Sequence, residues 1–386
     1  MKLASPIPFP GAALSRIADQ RSGDVALPPR GSVPRSQLSD AALAEDRGDV
    51  SINGSVAQLR VAGLLGWNVH HTHGPEALCA DLVAVAESNL AAARLFEGHV
   101  NAIRLVRTLG NRDVHDQIRC DVDGGILLGV WGAEGGIPLS VSGNVLTGGK
   151  RFASGLGAVG KAVVTVGQGD TVRLALLDVS DSGRHQPATW RKTGMRATVS
   201  GDFDATGMPA AALSWFGAPG QYLAEPGFIG GVWRIAAVQV GGTLGLLRAA
   251  SDHLQGLGRL MAEPQVARLA PILTRALAAS ELVRCAAACA EGPSGQQEPE
   301  RAASLSAQAR LLTEDVGLDA IAAVERSVGL PHFDEESTTG RIARDLATYM
   351  RQAARDALLQ RAGSWALGRP GPYSHLMAGG AGDARG

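Results

Sequence analysis

Apolar and polar positions follow three successive patterns along the chain. Over residues 75–109, Leu78, Leu82, Val85 and Leu90, then Leu95, Phe96, Val100, Ile103 and Val106, recur at mostly three- and four-residue spacing, which predicts amphipathic helix. Ahead of that stretch, residues 56–62 read as a helix stopped at Gly63, and residues 12–20 as a short helix within a proline-containing lead-in. From Cys120 the pattern changes to short apolar runs at 126–130, 145–147, 162–166 and 172–179. Turn signals at Asp123-Gly124, Gly143-Asn144, Gly169-Asp170 and Ser182-Gly183 separate them. A compact antiparallel, barrel-like β-domain is expected there, closing near residues 203–209.

After Ala224 helical spacing returns, over residues 229–257, 264–291, 301–327 and 339–362. In the second of these, Val266, Leu269, Leu273, Leu277 and Ser280 trace one face, and four amphipathic helices of such length form a bundle. The expected fold class is therefore α+β and mostly α. It comprises an N-terminal helical domain over 1–125, a central β-domain over 126–222, a helical bundle over 223–372 and an unstructured tail over 373–386.

A hydrophobic fraction of 45% in 386 residues provides for a packed core and excludes a disordered chain. The 36 basic and 37 acidic side chains nearly cancel, so no general attraction to nucleic acid or to anionic membrane is implied. Prolines interrupt the N-terminal residues where a secretory signal would be continuously apolar, and the longest apolar segment, 235–247, is broken by Gln239 and three glycines. A soluble, cytoplasmic protein is the expectation. Cys79, Cys120, Cys285 and Cys289 have no zinc-ligand spacing, and Cys285 and Cys289 read as small buried residues one helical turn apart. His70, His71 and His73 crowd one loop, but neighbouring ligands rarely converge on a single ion; no metal is expected, and the loop is read as lining a pocket mouth.

The stretch with the most chemical content is 127–155. It carries Trp131 and Glu134 and ends on Lys150-Arg151-Phe152-Ala153-Ser154-Gly155, placing an aromatic, a hydroxyl and a glycine within four residues. Such a segment can offer a flat wall, a hydrogen-bond donor and exposed backbone to one planar ligand, as a flavin ring requires. The alternative is a β-hairpin with Phe152 in the core and Ser154 in a turn. Leu95, His99 and Ile103 share one helical stripe, so His99 is expected to face inward. With Gly98 beside it, His99 is read as facing a ligand, supported by Arg94 and Glu97; a satisfied core histidine is the competing reading.

The order helices, β-domain, bundle, together with several motifs, resembles the acyl-CoA dehydrogenase family of flavoproteins over about residues 38–365. GVWGAE at 129–134 looks like the family's first β-domain segment, and GNVLTGGKRFASG at 143–155 is similar to its G-x-x-L-x-G-x-K-x-(W/F)-x-(S/T)-(G/N) run. GMRATVSGDFD at 194–204, ending at Met208-Pro209, resembles its closing strand pair, and RIARDL at 341–346 the start of its final helix. The resemblance implies bound FAD, with Trp131, Ala133, Glu134, Phe152, Ser154 and Gly155 at the ring. Arg196, Arg259 and Arg268 become candidates for the pyrophosphate, and a homodimer or homotetramer is implied, in which a neighbouring subunit adds contacts. No Rossmann glycine motif follows a strand, which argues against a nicotinamide fold.

The departures concern catalysis. The family's glutamate before the last helix is absent, and its alternative place in the bundle matches Trp233. Glu225 would have to turn in as the base, with His99 and Gln352 as the other catalytic candidates; Tyr349 and Gln352 occupy positions where related monooxygenases carry histidines. The first expectation is an FAD-dependent oxidoreductase acting on an acyl thioester by hydride transfer to flavin. The alternatives are a monooxygenase of the same fold fed by a flavin reductase, and a non-catalytic binding subunit.

Overall fold

The computed structural model describes residues 30–67, 69–70, 73–351 and 354–377. The helix expected at 12–20, His71 and Gln352 lie outside the described residues. The N-terminal helices are α1 (Arg35–Arg47), α2 (Asn53–Val61), α3 (Pro75–Ser88), α4 (Leu90–Leu109) and α5 (Arg112–Asp123). The single helical run expected over 75–109 is broken at Asn89, which takes an extended conformation and caps α4 by accepting a hydrogen bond from Ala92 N at 3.1 Å. Asn111 caps α5 in the same way through Val114 N.

The central strands are β1 (Leu127–Trp131), β2 (Ser140–Ser142), β3 (Val145–Thr147), β4 (Gly149–Ala153), β5 (Val159–Val166), β6 (Arg173–Asp178), β7 (His185–Gln186), β8 (Gly201–Asp204) and β9 (Ser214–Phe216). They form three separate sheets, in the orders β1-β5-β6-β9, β2-β3 and β4-β8-β7. The expected barrel is therefore corrected, since no sheet closes on itself. Nor is the domain wholly antiparallel: β1 and β5 run parallel, because the chain leaves β1 on an excursion holding β2, β3 and β4 before returning alongside it. Apolar residues of α4 and α5, including Ile103, Val106, Val114 and Ile118, pack with Leu128, Val163, Leu174 and Phe216 of this sheet.

The bundle comprises α6 (Trp233–Gly256), α7 (Glu263–Glu291), the short α8 (Pro293–Gln297), α9 (Pro299–Val328), α10 (Thr338–Tyr349) and α11 (Arg355–Gly368). The glycines that interrupt the apolar run at 235–247 mark a helix crossing. A Cβ at Gly241 would stand 2.5 Å from Val83 O, and one at Gly245 2.5 Å from Glu87 O, so α6 meets α3 backbone to backbone. Gln239 is fully buried and accepts a hydrogen bond from Thr313 of α9 at 2.7 Å.

The helix expected at 339–362 is two helices. Neither proline nor glycine marks the break, at which Ala354 adopts left-handed backbone. On α7 the buried positions are Leu269, Ala276, Ala279, Val283, Ala286, Ala287, Cys289 and Ala290, while Val266, Leu273 and Leu277 of the expected face stand exposed on this chain. Tyr373–Leu376, placed in an unstructured tail from sequence, form a 3-10 turn whose Leu376 O accepts hydrogen bonds from Arg301. No helix among the described residues is long and apolar enough to cross a membrane.

Candidate functional site

The site is built on β4. At Gly149 the strand lies against β8 so closely that a Cβ would meet Phe203 O at 2.1 Å, and the next side chain, Lys150, is buried. The pairing register then shifts between Lys150 and Ala153, and Phe152 takes a φ of 52°. A bulge of this kind re-aims side chains. Arg151 and Phe152 are consequently both exposed, although neighbours on a regular strand would point to opposite faces. The turned-out Phe152 meets Trp190 edge to face at 6.1 Å, and the Arg151 guanidinium lies over its ring at 4.8 Å.

Ser154 and Gly155 continue the wall. The Ser154 carbonyl accepts from Trp131 Nε1 at 3.1 Å, and its hydroxyl begins a chain through Ser200 Oγ, at 3.1 Å, to Thr198 Oγ1, a further 2.7 Å away. Gly155 has a φ of 83° and donates to Thr198 O, locking the 194–200 loop against β4. From the other side α10 holds that loop: Asp345 accepts from Met195 N, whose residue also has left-handed backbone, and Gly194 lies so close to the Arg344 carbonyl that a Cβ would approach it to 2.1 Å. Burial raises the Asp345 carboxyl to about 6, against the opposing pull of Arg341.

Between β4, the 190–200 segment and α10 lies a cavity of about 860 Å³, within the range of about 300–1,000 Å³ typical of small-molecule sites. Phe152 and Trp190 supply aromatic surface, Ser154, Thr198 and Ser200 hydroxyls, and Arg94, Lys192, Arg344 and Arg351 positive charge. A second cavity, of about 560 Å³, lies between α4, α6 and α11 and is lined largely by apolar residues such as Leu105, Val130, Phe228, Ile235 and Leu358, with Arg104, Arg310 and Arg361. A narrow crevice shares Arg94 and Ser154 with the first cavity and Val130 with the second. Gly98, read from sequence as support for a ligand beside His99, lines that crevice. Among the described residues no carboxylate lines either cavity.

Of the residues proposed from sequence, the structure brings Phe152 and Ser154 to the large cavity together with Arg94, and places Gly155 immediately behind them. The others among the described residues do not line the large cavity. His99 is fully buried; its Nδ1 accepts from Leu128 N at 3.0 Å, and its Nε2–H donates to Leu65 O at 2.8 Å, so both ring nitrogens are committed to backbone. Burial drives its pKa down to about 4, and the neutral ring is a core tie between α4, β1 and the 64–66 turn.

Trp131 is buried against Phe203, pins the Ser154 carbonyl and lines the narrow crevice, not the large cavity. Ala133 accepts a backbone hydrogen bond from Arg151 and lines neither cavity. Glu134 is 2.6 Å from buried Lys150 Nζ and accepts from Thr165 and Leu139 N, a structural node inside the β-domain. Desolvation lowers the Lys150 pKa, and Glu134 opposes the shift.

Arg196 is paired with buried Asp46, Arg259 is exposed in the turn after α6, and Arg268 of α7 donates to Gln265 and Ser327; none reaches the large cavity. Glu225 accepts from Gly230 N and lies 3.4 Å from Arg361, with desolvation raising its pKa; it lines neither cavity. Trp233 is buried and donates to Glu291, a carboxylate also held by Arg104 and Arg234. His70 pairs with Asp123 at 2.6 Å and His73 meets Trp67 edge on. No cluster of three or more metal-ligating side chains occurs among the described residues.

Sequence reasoning missed Trp190, Lys192, Thr198, Ser200, Arg344 and Arg351. They come from two segments far apart in the chain, 190–200 and 344–351, at which only the motifs at 194–204 and 341–346 hinted.

No family model and no curated protein matches the chain. Solved structures do. An FMN-bound dibenzothiophene monooxygenase from Paenibacillus sp. A11-2 superimposes with a TM-score of 0.75 at 15% identity, covering 89% of this chain and 98% of its own. Butyryl-CoA dehydrogenase from Megasphaera elsdenii gives 0.70 at 16% identity, with 86% and 94% covered. A nitrososynthase from Micromonospora carbonacea var. africana gives 0.70 at 17%, with the same coverage. The chain has the acyl-CoA dehydrogenase fold, as its motifs implied.

Proposed function

We propose that the chain is a flavin-dependent oxidoreductase working as a monooxygenase, with flavin in the large cavity, an organic substrate in the second and reduced flavin delivered by a separate reductase. The residues of the large cavity suit such a group. The bulge-displayed Phe152 and Trp190 offer apolar surface to a planar ring, the Ser154–Ser200–Thr198 chain offers hydroxyls to its polar edge, and the cationic lining suits a phosphate. When bound, the flavin supplies the redox chemistry.

What the protein contributes is placement, exclusion of water by the aromatic pair, and hydrogen bonds from a preformed wall. The neighbouring folds act on different substrates, so the choice of chemistry rests on one observation: no carboxylate lines either cavity among the described residues. Removing the α-proton of an acyl thioester needs a base within hydrogen-bond reach. The two sequence candidates, His99 and Glu225, are instead committed to Leu65 and Leu128 and to Gly230 and Arg361. The apolar row on α7, Val266, Leu273 and Leu277, supports assembly into a homo-oligomer.

The test is a titration of purified protein with FMN and FAD followed by absorbance, in wild type and in Phe152→Ala/Ser154→Ala. The wild type is expected to bind flavin and the double variant to bind it at least about 10-fold more weakly, from lost aromatic burial and a lost hydrogen bond. Reduced flavin should then drive oxygen uptake that an organic substrate accelerates, whereas acyl thioesters should not bleach the flavin anaerobically. A protein that takes up neither flavin refutes the assignment as an enzyme, and anaerobic bleaching by a thioester restores the dehydrogenase reading.

A further inference from the structure

The second cavity has a charge arrangement that a purely apolar ligand leaves unused. Three guanidiniums line it. Arg104 is matched by Glu291 at 2.9 Å, and Arg361 by Glu300 at 2.9 Å and Glu225 at 3.4 Å. Arg310 differs: it is 2% exposed, and among the described residues its one ion pair, to Glu314, is 3.3 Å long and its Nε has no hydrogen-bond partner. Glu314 is shared, lying 3.3 Å from Arg355, which is also held by Asp315 and more distantly by Asp356, and 3.8 Å from Arg351. A buried guanidinium with an idle N–H and a divided counter-charge is costly unless something else completes it. Desolvation lowers its pKa, with Glu314 opposing.

We propose that the second cavity binds an apolar, ring-sized molecule carrying one anionic group, a carboxylate or sulfinate, received by Arg310 while Leu105, Phe228, Ile235 and Leu358 enclose the apolar part. That this molecule is the substrate rests on the flavin reading above; the anion site itself does not. The crevice through Val130, Gly98 and Ser154 joins this cavity to the large one.

The probes are 2-naphthoate and 2-naphthamide, which match in shape and differ in one charge, titrated calorimetrically into flavin-free protein. The wild type is expected to prefer the carboxylate by about 10-fold or more, as a charge-assisted bond to a buried guanidinium implies. Arg310→Gln should erase the preference by weakening 2-naphthoate alone, Arg310→Lys should keep part of it, and Ile235→Trp, which puts an indole into the cavity, should weaken binding of both. Failure of 2-naphthoate to bind, equal wild-type affinity for the pair, or Arg310→Gln weakening both equally each overturns the proposal. If Arg310→Gln does not fold, Arg310→Lys still decides: a preference unchanged from the wild type overturns the proposal. FMN titrated separately keeps the two readings apart: flavin uptake without anion preference sinks only this inference, and anion preference without flavin uptake sinks only the enzyme assignment.

Discussion

His99→Ala provides a test in which the structural and catalytic roles of this histidine give opposite results. Removing the imidazole strands the Leu128 N–H and the Leu65 carbonyl in the core, at about 1–3 kcal/mol each, so a loss of about 4 kcal/mol is expected near neutral pH. The penalty is pH-dependent. Burial lowers the imidazole pKa from 6.5 to about 4, and a second ring proton would have to sit on Nδ1, where it would face the Leu128 N–H donor.

With the folded value below the unfolded one, the native state binds fewer protons. The histidine's contribution is then complete above about pH 6.5 and is lost as pH falls towards 4, about 3 kcal/mol in all. The alanine variant lacks this term, so the stability gap between the two proteins should shrink from about 4 kcal/mol near pH 7.5 to about 1 kcal/mol near pH 4. Urea denaturation of both proteins, followed by tryptophan fluorescence across that range, measures the gap. Taking the difference cancels Asp345, whose raised pKa of about 6 has the opposite sign: its contribution is full below the unfolded 3.8 and is lost as pH rises through 6. A gap that does not change with pH, or a variant of full stability that has lost only activity, would refute the account and return His99 to the chemistry.

Three further outcomes are expected. Glu134→Gln strands the buried Lys150 ammonium with Thr165 as its remaining partner and should cost about 3 kcal/mol in denaturant titrations while leaving flavin affinity unaltered; reduced flavin affinity at full stability would make Glu134 a ligand residue. Gly155→Ala forces a side chain into left-handed backbone and to 2.7 Å from Val159 Cγ2, so it should destabilise by about 1–3 kcal/mol and, by shifting Ser154, weaken flavin binding as well. Arg196→Met should lower the melting temperature, because Asp46 keeps only Arg344 at 3.5 Å, and should leave flavin titrations unchanged; weakened binding there would restore Arg196 to the cofactor site.

Helical periodicity, glycine-punctuated strands and the motif order were enough to establish the layered α+β architecture, because burying an apolar stripe requires the same spacing wherever a helix lies. The segment at 150–155 was legible as a ligand wall for a related reason: its aromatic, hydroxyl and glycine are neighbours in the chain. Partnership was not legible. His99 lay on the inward stripe, as its spacing required, but whether an inward histidine meets a ligand or two backbone groups depends on Leu65 and Leu128, 34 and 29 residues away. Glu134, Arg196 and Glu225 looked available because Lys150, Asp46 and Arg361 are invisible as their partners until the chain folds. The parallel pairing of β1 with β5 and the break after α10 carry no local signal either, since both are set by where the excursion from β1 and the end of α10 find packing. Sequence thus determined what each segment could become, through short-range periodicity and turn chemistry; tertiary structure decided which charges are already fully matched and which, like that of Arg310, share a divided partner, because ion pairing depends on distances of a few ångströms between residues often far apart in the chain.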